Sequence, residues 1–247
     1  MKTFLALLAT GIACTAFTAH AESLPPHMGD RSLIETESMP RVSLGVDAEF
    51  LERDVAFDSR TLPGTLKGTA YSAYLGLDLW RWITLYGTAG SVFLDSFEPI
   101  ASDGFDNALR WSAGLNASLW HVDTTTPDFM KGRFSIGLII DYCDNTGASD
   151  SGDVTWTTTS VSLPIGFEIP NEPMIFWGVT SMYVFAGPLY SAIDGKVEND
   201  SLSDFSEEQD WGVLGGVDIY LAPNVSLGGH LQYVSSVSAN LSARYHF

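Results

Sequence analysis

The chain has 247 residues, and its 30 acidic and 12 basic residues give a formal net charge of −18. This charge excludes a nucleic-acid partner, which requires clustered Lys and Arg residues. A content of 23 glycines and 12% aromatic residues indicates many strands joined by turns.

The first 21 residues have the pattern of a secretory signal peptide. Lys2 supplies the positive charge, residues 4–13 form a short apolar segment, and Ala19-His20-Ala21 offers a cleavage site. The apolar segment is too short to span a bilayer as a helix. We therefore expect the mature chain to begin near Glu22 and to be exported across the inner membrane.

Cysteine usage carries no signal for catalysis. Cys14 raises the alternative of a lipoprotein, but Gly11 occupies the position where a lipobox has a branched apolar residue. Cleavage after residue 21 leaves Cys143 alone, so no intrachain disulfide is predicted.

The mature chain divides into two parts. Residues 22–39 contain Pro25-Pro26 and a mixture of acidic residues and Ser, which predicts a flexible periplasmic segment, with a plug of the barrel as the alternative. Residues 40–247 alternate repeatedly between apolar and polar side chains. In a strand, this period of two places the apolar side chains on one face and the polar side chains on the other. No apolar stretch of helix-spanning length follows residue 21, so this part can enter a membrane only as a barrel.

The alternation predicts an all-β protein, a transmembrane antiparallel up-and-down β-barrel of ten strands, with eight as the alternative. Residues 224–247 are too long for one spanning strand of about 9–11 residues, so a hairpin that turns near residues 235–238 is predicted. Pro164 removes a ladder donor and predicts a bulge in the sixth strand. The predicted strands are 42–50, 71–79, 83–93, 109–119, 133–142, 160–167, 175–185, 211–221, 225–233 and 239–247.

Aromatic residues mark both ends of the predicted lipid-facing rows, as expected for two membrane interfaces. In the seventh strand this row is predicted to run through Ile175, Trp177, Val179, Tyr183 and Phe185. Short periplasmic turns are predicted at residues 80–82, 170–173 and 222–224, with a long exception at 121–131. Longer polar extracellular loops are predicted at residues 53–65, 97–106, 144–154 and 193–209. The aromatics predicted near the periplasmic interface are Phe134, Phe167, Trp177, Tyr245 and Phe247, and those near the opposite interface are Phe50, Phe93, Trp111, Tyr142, Trp211 and Tyr233.

The last strand places Leu241, Ala243, Tyr245 and Phe247 on one face. This pattern resembles the C-terminal assembly signature of bacterial outer-membrane barrels, which has a terminal Phe and an aromatic residue two positions earlier. Over residues 40–247 the chain resembles the small barrels of the OmpA/opacity-protein type. The resemblance implies an outer-membrane location, contact with lipid and lipopolysaccharide, and insertion by the barrel-assembly machinery. It also implies a role in adhesion, envelope integrity or limited permeability.

The inward rows hold charges of both signs. Arg110 and Asp141 are predicted to pair, and Arg244 is predicted to reach Asp47 or Glu49 where the last strand closes on the first. Pairs that fill and stiffen the lumen are the favoured interpretation, and a selectivity constriction is the alternative. The predicted lumen charges are Asp47, Glu49, Asp78, Arg110, Arg133, Asp141, Asp218 and Arg244, together with His230. The small inward residues Gly45, Gly76, Gly114, Ser118 and Gly216 favour an open lumen, whereas Tyr74 and Tyr220 favour a closed one.

The motifs of enzymatic barrels do not occur in the sequence. Asp47-Ala48-Glu49 matches the acidic pair of the omptin proteases only loosely, and their Asp-x-His pair is missing. The His-x-Ser arrangement of outer-membrane phospholipase and lipid A deacylase is missing too, since His230-Leu231-Gln232 lacks the serine. We therefore predict no enzyme, catalytic residue or cofactor, and a hydrolase is the least favoured function.

The last extracellular loop is strongly acidic. Its carboxylates predict a well-solvated loop and, as the functional alternative, weak binding of divalent cations, which prefer carboxylate oxygens. The predicted role is thus structural or adhesin-like, with an extracellular ligand at the acidic loops. A narrow diffusion pore is the alternative, because ten strands leave more room than eight. The acidic residues of this loop are Asp194, Glu198, Asp200, Asp204, Glu207, Glu208 and Asp210, against Lys196.

Overall fold

Twelve strands form the computed structural model, which describes residues 41–57, 62–80, 82–98, 108–124, 132–149, 152–170, 179, 181–198, 204–222 and 224–247. The predicted signal peptide and periplasmic segment lie outside these residues. No helix among them is long and apolar enough to cross a membrane. The strands are β1 Arg41–Phe57, β2 Leu62–Trp80, β3 Ile83–Glu98, β4 Ala108–Thr124, β5 Gly132–Ser149, β6 Gly152–Ser162, β7 Ile165–Pro170, β8 Ser181–Val197, β9 Asp204–Glu207, β10 Trp211–Ala222, β11 Val225–Tyr233 and β12 Val237–His246.

The strands close into one antiparallel barrel with ten positions. β1 to β5 pair in order, β6 and β7 together take the sixth position, and β8, β10, β11 and β12 complete the ring. β12 then pairs with β1, with Leu44 opposite Tyr245 and Phe50 opposite Ala239. The predicted up-and-down barrel of ten strands is confirmed. Closure leaves no unpaired sheet edge in the spanning part, and a bilayer requires this because lipid cannot hydrogen-bond to exposed backbone groups.

The sixth position is interrupted at residues 163–164, between β6 and β7. The predicted bulge at Pro164 is wrong, because Ser162 lies opposite Ile139 and Ile165 lies opposite Ile136, so the register with β5 is unchanged. The Pro164 carbonyl still accepts a hydrogen bond from the backbone of β5 at 2.8 Å. Proline therefore removes one donor without adding the extra residue that defines a bulge.

Apolar rows cover the outside of the barrel, as the alternation predicts. Leu75 exposes 55% of its surface and Leu241 exposes 56%. A soluble protein buries rows of this kind, whereas on a closed barrel they form the surface that contacts lipid. Their polar neighbours, such as Ser43 and Ser226, point inward and are buried.

The predicted orientation of the seventh strand is wrong. Tyr183 and Phe185 of β8 line the lumen, and Val184, which is 44% exposed, faces outward. Residues 175–178 of that predicted row lie outside the described residues. The prediction failed because this strand has large side chains on both faces, so alternation alone does not tell the faces apart.

Several predicted extracellular loops are continuations of strands. The predicted loop at 144–154 is β-structure at all its described residues, because β5 runs to Ser149 and β6 begins at Gly152. Likewise, β1 reaches Phe57. At the other end of the barrel, β4 and β5 stay paired as far as Thr124 and Gly132, which shortens the predicted long turn at 121–131. We call the end at which β1 finishes the loop end, and the opposite end the turn end.

The barrel continues past the short strands β10 to β12 at the loop end. There β9 pairs with β1, with Phe57 opposite Phe205, and with β8, with Gly195 opposite Phe205. Four residues thus take the place of three strands and join β8 to β1. We call this part the outer extension; it comprises residues 51–57, 64–70, 92–98, 143–149, 152–158, 191–198 and 204–210.

Candidate functional site: the lumen and the outer extension

A central cavity of about 250 Å³ occupies the lumen. Its walls carry carboxylates from β1, β5 and β10 and guanidinium groups from β4 and β12, because inward residues of all these strands meet at the same height. The predicted lumen residues that line it are Asp47, Glu49, Arg110, Asp141, Asp218, His230 and Arg244.

Arg110 forms its ion pair across the lumen rather than along the wall. Its guanidinium contacts the Glu49 carboxylate, so the predicted pair with Asp141 is wrong. Asp141 instead shares a hydrogen bond with Tyr86. The cross-lumen pair ties β4 to β1, strands that are not neighbours in the sheet.

Arg244 lies where the last strand closes on the first. Its Nη2 atom is 3.7 Å from Asp47 Oδ1, and its guanidinium carbon lies 4.2 Å from the centroid of the Tyr74 ring. A guanidinium stacks well on an aromatic face, which partly replaces its lost hydration. The closure of β12 on β1 is therefore stabilised by the interactions of the Arg244 charge as well as by backbone hydrogen bonds.

The two remaining predicted lumen charges lie toward the turn end. Asp78 accepts a hydrogen bond from Thr84 Oγ1 at 2.6 Å. Arg133 donates two hydrogen bonds to Asp123, at 2.5 and 3.1 Å, and lines a lower cavity of about 140 Å³. Asp218 lines both cavities, so they adjoin at its side chain.

The inward glycines do not leave the lumen open. A Cβ atom at Gly114 would collide with the ring of Tyr86, and one at Gly76 would collide with Tyr74. The ring of Phe185 covers Gly216 in the same way. Each glycine makes room for an inward aromatic ring, which fills the space that the missing side chain leaves.

An apolar plug closes the lumen inside the outer extension. Phe57, Phe97 and Phe205 meet at its centre, with ring centroids 4.9 to 5.8 Å apart. This plug was not predicted from the sequence, although the inward alternation of β1 continues as Leu51, Val55 and Phe57. The plug consists of Leu51, Val55, Phe57, Leu66, Ala70, Val92, Leu94, Phe97, Ala108, Val154, Trp156, Ile193, Val197 and Phe205.

A buried polar cluster lies beside the plug, since Arg53 is between Leu51 and Val55 on the inward row of β1 and Glu207 is opposite Val55. Arg53 Nη1 is 3.7 Å from Glu207 Oε1, and Arg53 also donates to Gln232 Oε1 at 2.9 Å. Ser191 donates to Glu207 Oε2 at 3.0 Å. Burial raises the pKa of Glu207 to about 7, against the opposing effect of the Arg53 charge. Glu207 is therefore wrongly predicted as a solvated loop residue.

The outside of the outer extension is acidic. Among the described residues it carries ten carboxylates that are at least partly exposed and only two lysines, Lys67 and Lys196. No group of three metal-ligating side chains occurs in the described ranges. The predicted Asp200 lies outside them. The carboxylates belong to Glu52, Asp54, Asp95, Asp144, Asp153, Asp194, Glu198, Asp204, Glu208 and Asp210.

Aromatic contacts bracket the apolar outside of the barrel. At the loop end Trp111 contacts Tyr142, with ring centroids 5.7 Å apart. At the turn end Tyr245 contacts Phe247, with centroids 4.8 Å apart. A closed barrel with an apolar band between two aromatic girdles is the architecture of a transmembrane barrel. The protein is an outer-membrane β-barrel, with its outer extension beyond the loop-end girdle.

Solved structures with similar folds are outer-membrane barrels. The transport unit of the autotransporter AIDA-I from Escherichia coli is 11% identical, with 90% of this chain and 93% of that chain covered and a TM-score of 0.40. Ail of Yersinia pestis is 13% identical, with 85% and 100% covered and a TM-score of 0.30. Neisserial surface protein A is 17% identical, with 83% and 95% covered and a TM-score of 0.32. No family model matches the sequence, and no curated protein matches it.

Proposed function

We propose that this protein is a closed outer-membrane barrel that presents a rigid acidic surface to a cationic macromolecule outside the cell. The outer extension carries the proposal, because it combines a dry apolar interior with an acidic exterior. A surface of one charge sign steers and holds a partner of the opposite sign.

The rigidity of this surface follows from its construction. In it, β6 is paired with β5 and β8, β8 is paired with β6 and β9, and their inward residues pack in the apolar plug. The carboxylates of these strands therefore occupy fixed positions in a sheet. Asp144 and Asp194 both lie opposite Thr157, on either side of it, which places them roughly 10 Å apart at two strand spacings.

A binding measurement tests the proposal. The mature protein in nanodiscs is exposed to poly-L-lysine, with poly-L-glutamate as the control probe. We expect binding that weakens as salt is raised, because exposed charges are screened over about 8 Å at 0.15 M. The double variant D144N/D194N should bind roughly three- to tenfold more weakly, since an exposed ion pair contributes up to about 1 kcal/mol.

The matched control is D123N, which removes one carboxylate at the turn end, on the opposite side of the membrane. It should bind poly-L-lysine as the unmodified protein does. Salt-independent binding, or equal loss in D123N and in D144N/D194N, would contradict the proposal. Repeating the measurement with calcium tests whether divalent cations occupy the same carboxylates, in which case calcium competes with poly-L-lysine.

A diffusion pore is the second candidate, and the central cavity favours it. The plug opposes it, because ions do not cross a dry apolar constriction readily. We expect no steady single-channel conductance from the folded barrel in a planar bilayer. Steady conductance would favour the pore and would make the plug a gate that opens.

A further inference from the structure

The central cavity is closed toward the outside and continues toward the turn end. The apolar plug covers its upper side, where Leu51 and Trp156 belong to both the plug and the cavity wall. Below, Phe185 and Asp218 line the central cavity and the lower cavity alike. The lower cavity reaches Arg133, the second residue of β5. Among the described residues, the route from the centre that the plug does not cover leads to the turn end, which is the periplasmic side.

The charges that line the centre do not balance. Four carboxylates face three guanidinium groups, and one of the three, Arg53, also pairs with Glu207 outside this wall. Arg110 is engaged by Glu49. Arg244 is shared between Asp47 and the Tyr74 ring. An enclosed space with an excess of negative charge favours a positive guest, because the surrounding protein screens charges less than bulk water does. The four carboxylates belong to Asp47, Glu49, Asp141 and Asp218.

Asp218 and Asp47 have fewer partners than Glu49 and Asp141. Arg244 is the only charged group of the described residues that acts on Asp218, and no described residue donates a hydrogen bond to it. Asp47 shows the same deficit, since its Oδ1 atom is buried without a hydrogen-bond partner. Asp141, by contrast, has the hydroxyl of Tyr86. Of these two carboxylates, Asp218 is the one that lies at the junction of the two cavities.

The walls near Asp218 are aromatic, which decides between an organic and an inorganic cation. Tyr183 lies opposite Asp218 on the neighbouring strand, and its ring stacks on that of Phe185 with centroids 5.5 Å apart. Aromatic faces attract organic ammonium groups. A metal ion instead needs several oxygen or nitrogen ligands, and the described residues offer no group of three.

We propose that the lumen is a periplasm-facing binding site for a small organic ammonium ion, with Asp218 as its anionic anchor. The ammonium group lies against the Asp218 carboxylate at the junction of the two cavities. Its hydrocarbon part lies against the aromatic walls. The site is independent of the acidic surface of the outer extension and faces the opposite compartment.

Isothermal titration calorimetry on the refolded mature protein in detergent micelles tests this site. The probe is butylammonium chloride, with butan-1-ol as the uncharged control and potassium chloride as the inorganic cation. We expect saturable binding of butylammonium only. D218N should weaken it at least tenfold, because the substitution keeps the side-chain shape and removes the anionic charge.

D95N is the matched control, since Asp95 is an exposed carboxylate of the outer extension. It should bind butylammonium as the unmodified protein does, and circular dichroism should show that both variants keep the barrel. Absence of saturable binding in the unmodified protein would overturn the proposal, as would equal affinity in D218N. Equal binding of potassium would overturn the assignment of an organic cation.

Discussion

Replacing Phe97 by alanine tests whether the apolar plug stabilises the outer extension. Phe97 is fully buried, and its ring lies 5.6 Å from that of Phe57 and 4.9 Å from that of Phe205. A Phe-to-Ala change in a core of this kind costs about 3–5 kcal/mol through lost burial and the cavity that remains. Equilibrium urea unfolding in liposomes, followed by tryptophan fluorescence, measures this loss. Trp156 reports on the plug directly because it is buried there.

The matched control is F93A on the same strand. Phe93 points outward, is 41% exposed and contacts Tyr71 at a centroid distance of 6.2 Å. Its loss leaves no internal cavity, so F93A should be destabilised much less than F97A. Limited trypsin digestion should cut F97A faster at Lys67 and Lys196 of the outer extension. Equal destabilisation of the two variants, or an F97A protein as stable as the parent, would refute the argument that the plug is a packed core.

Three further outcomes follow from the same contacts. Because the folded-state pKa of Glu207 is about 7 and its ordinary value is 4.5, the folded chain holds this proton more tightly than the unfolded chain. The stability that depends on it is present below pH 4.5 and is lost as the pH rises through 7, by at most about 3 kcal/mol. The urea midpoint of the parent protein should fall between pH 5 and pH 8, and E207Q should lack the part of this fall that is due to Glu207. R110M should destabilise the barrel by roughly 3–5 kcal/mol, since it leaves Glu49 unpaired in the lumen, and E49Q/R110M should recover part of that loss. Deleting Phe247, whose backbone N–H donates to the Val42 carbonyl at 2.9 Å, should lower the yield of folded barrel, as measured by refolding into liposomes.

The spanning part of the fold was predictable because lipid imposes a simple rule on it. Each spanning strand must present apolar side chains outward, so period-two alternation identifies the strands and their faces. The rule held for the closing strand, where Leu241 and Phe247 face outward. It failed for β8, because Tyr183 and Phe185 fill the lumen while Val184 faces lipid. Aromatic residues are suited to both environments, so their presence does not mark the outer face.

The lumen pairs and the outer extension depend on contacts between distant parts of the chain. Arg110 reaches Glu49 across the lumen because the barrel is narrow. The width of the barrel cannot be predicted from the local alternation of apolar and polar residues. β9 is only four residues long, too short for a periodicity argument, and it is ordered by pairing with β1 and β8. Local sequence therefore predicts Glu207 to be a solvated loop residue, whereas strand pairing buries it.

The change in strand number along the axis explains why the lumen is polar at its centre and dry toward the outside. Ten strands surround the central cavity, whereas eight strands, β1 to β6 with β8 and β9, surround the lower part of the apolar plug, at the level of Val92 and Ala108. Barrel diameter grows with strand number, and an interior of eight strands is just wide enough for side chains to fill. Side chains can thus pack completely above the level of Trp211, where β10 begins, but leave a cavity below it. Opening a pore would therefore require removal of several plug side chains together, because the neighbours of a single missing ring still close the narrower section.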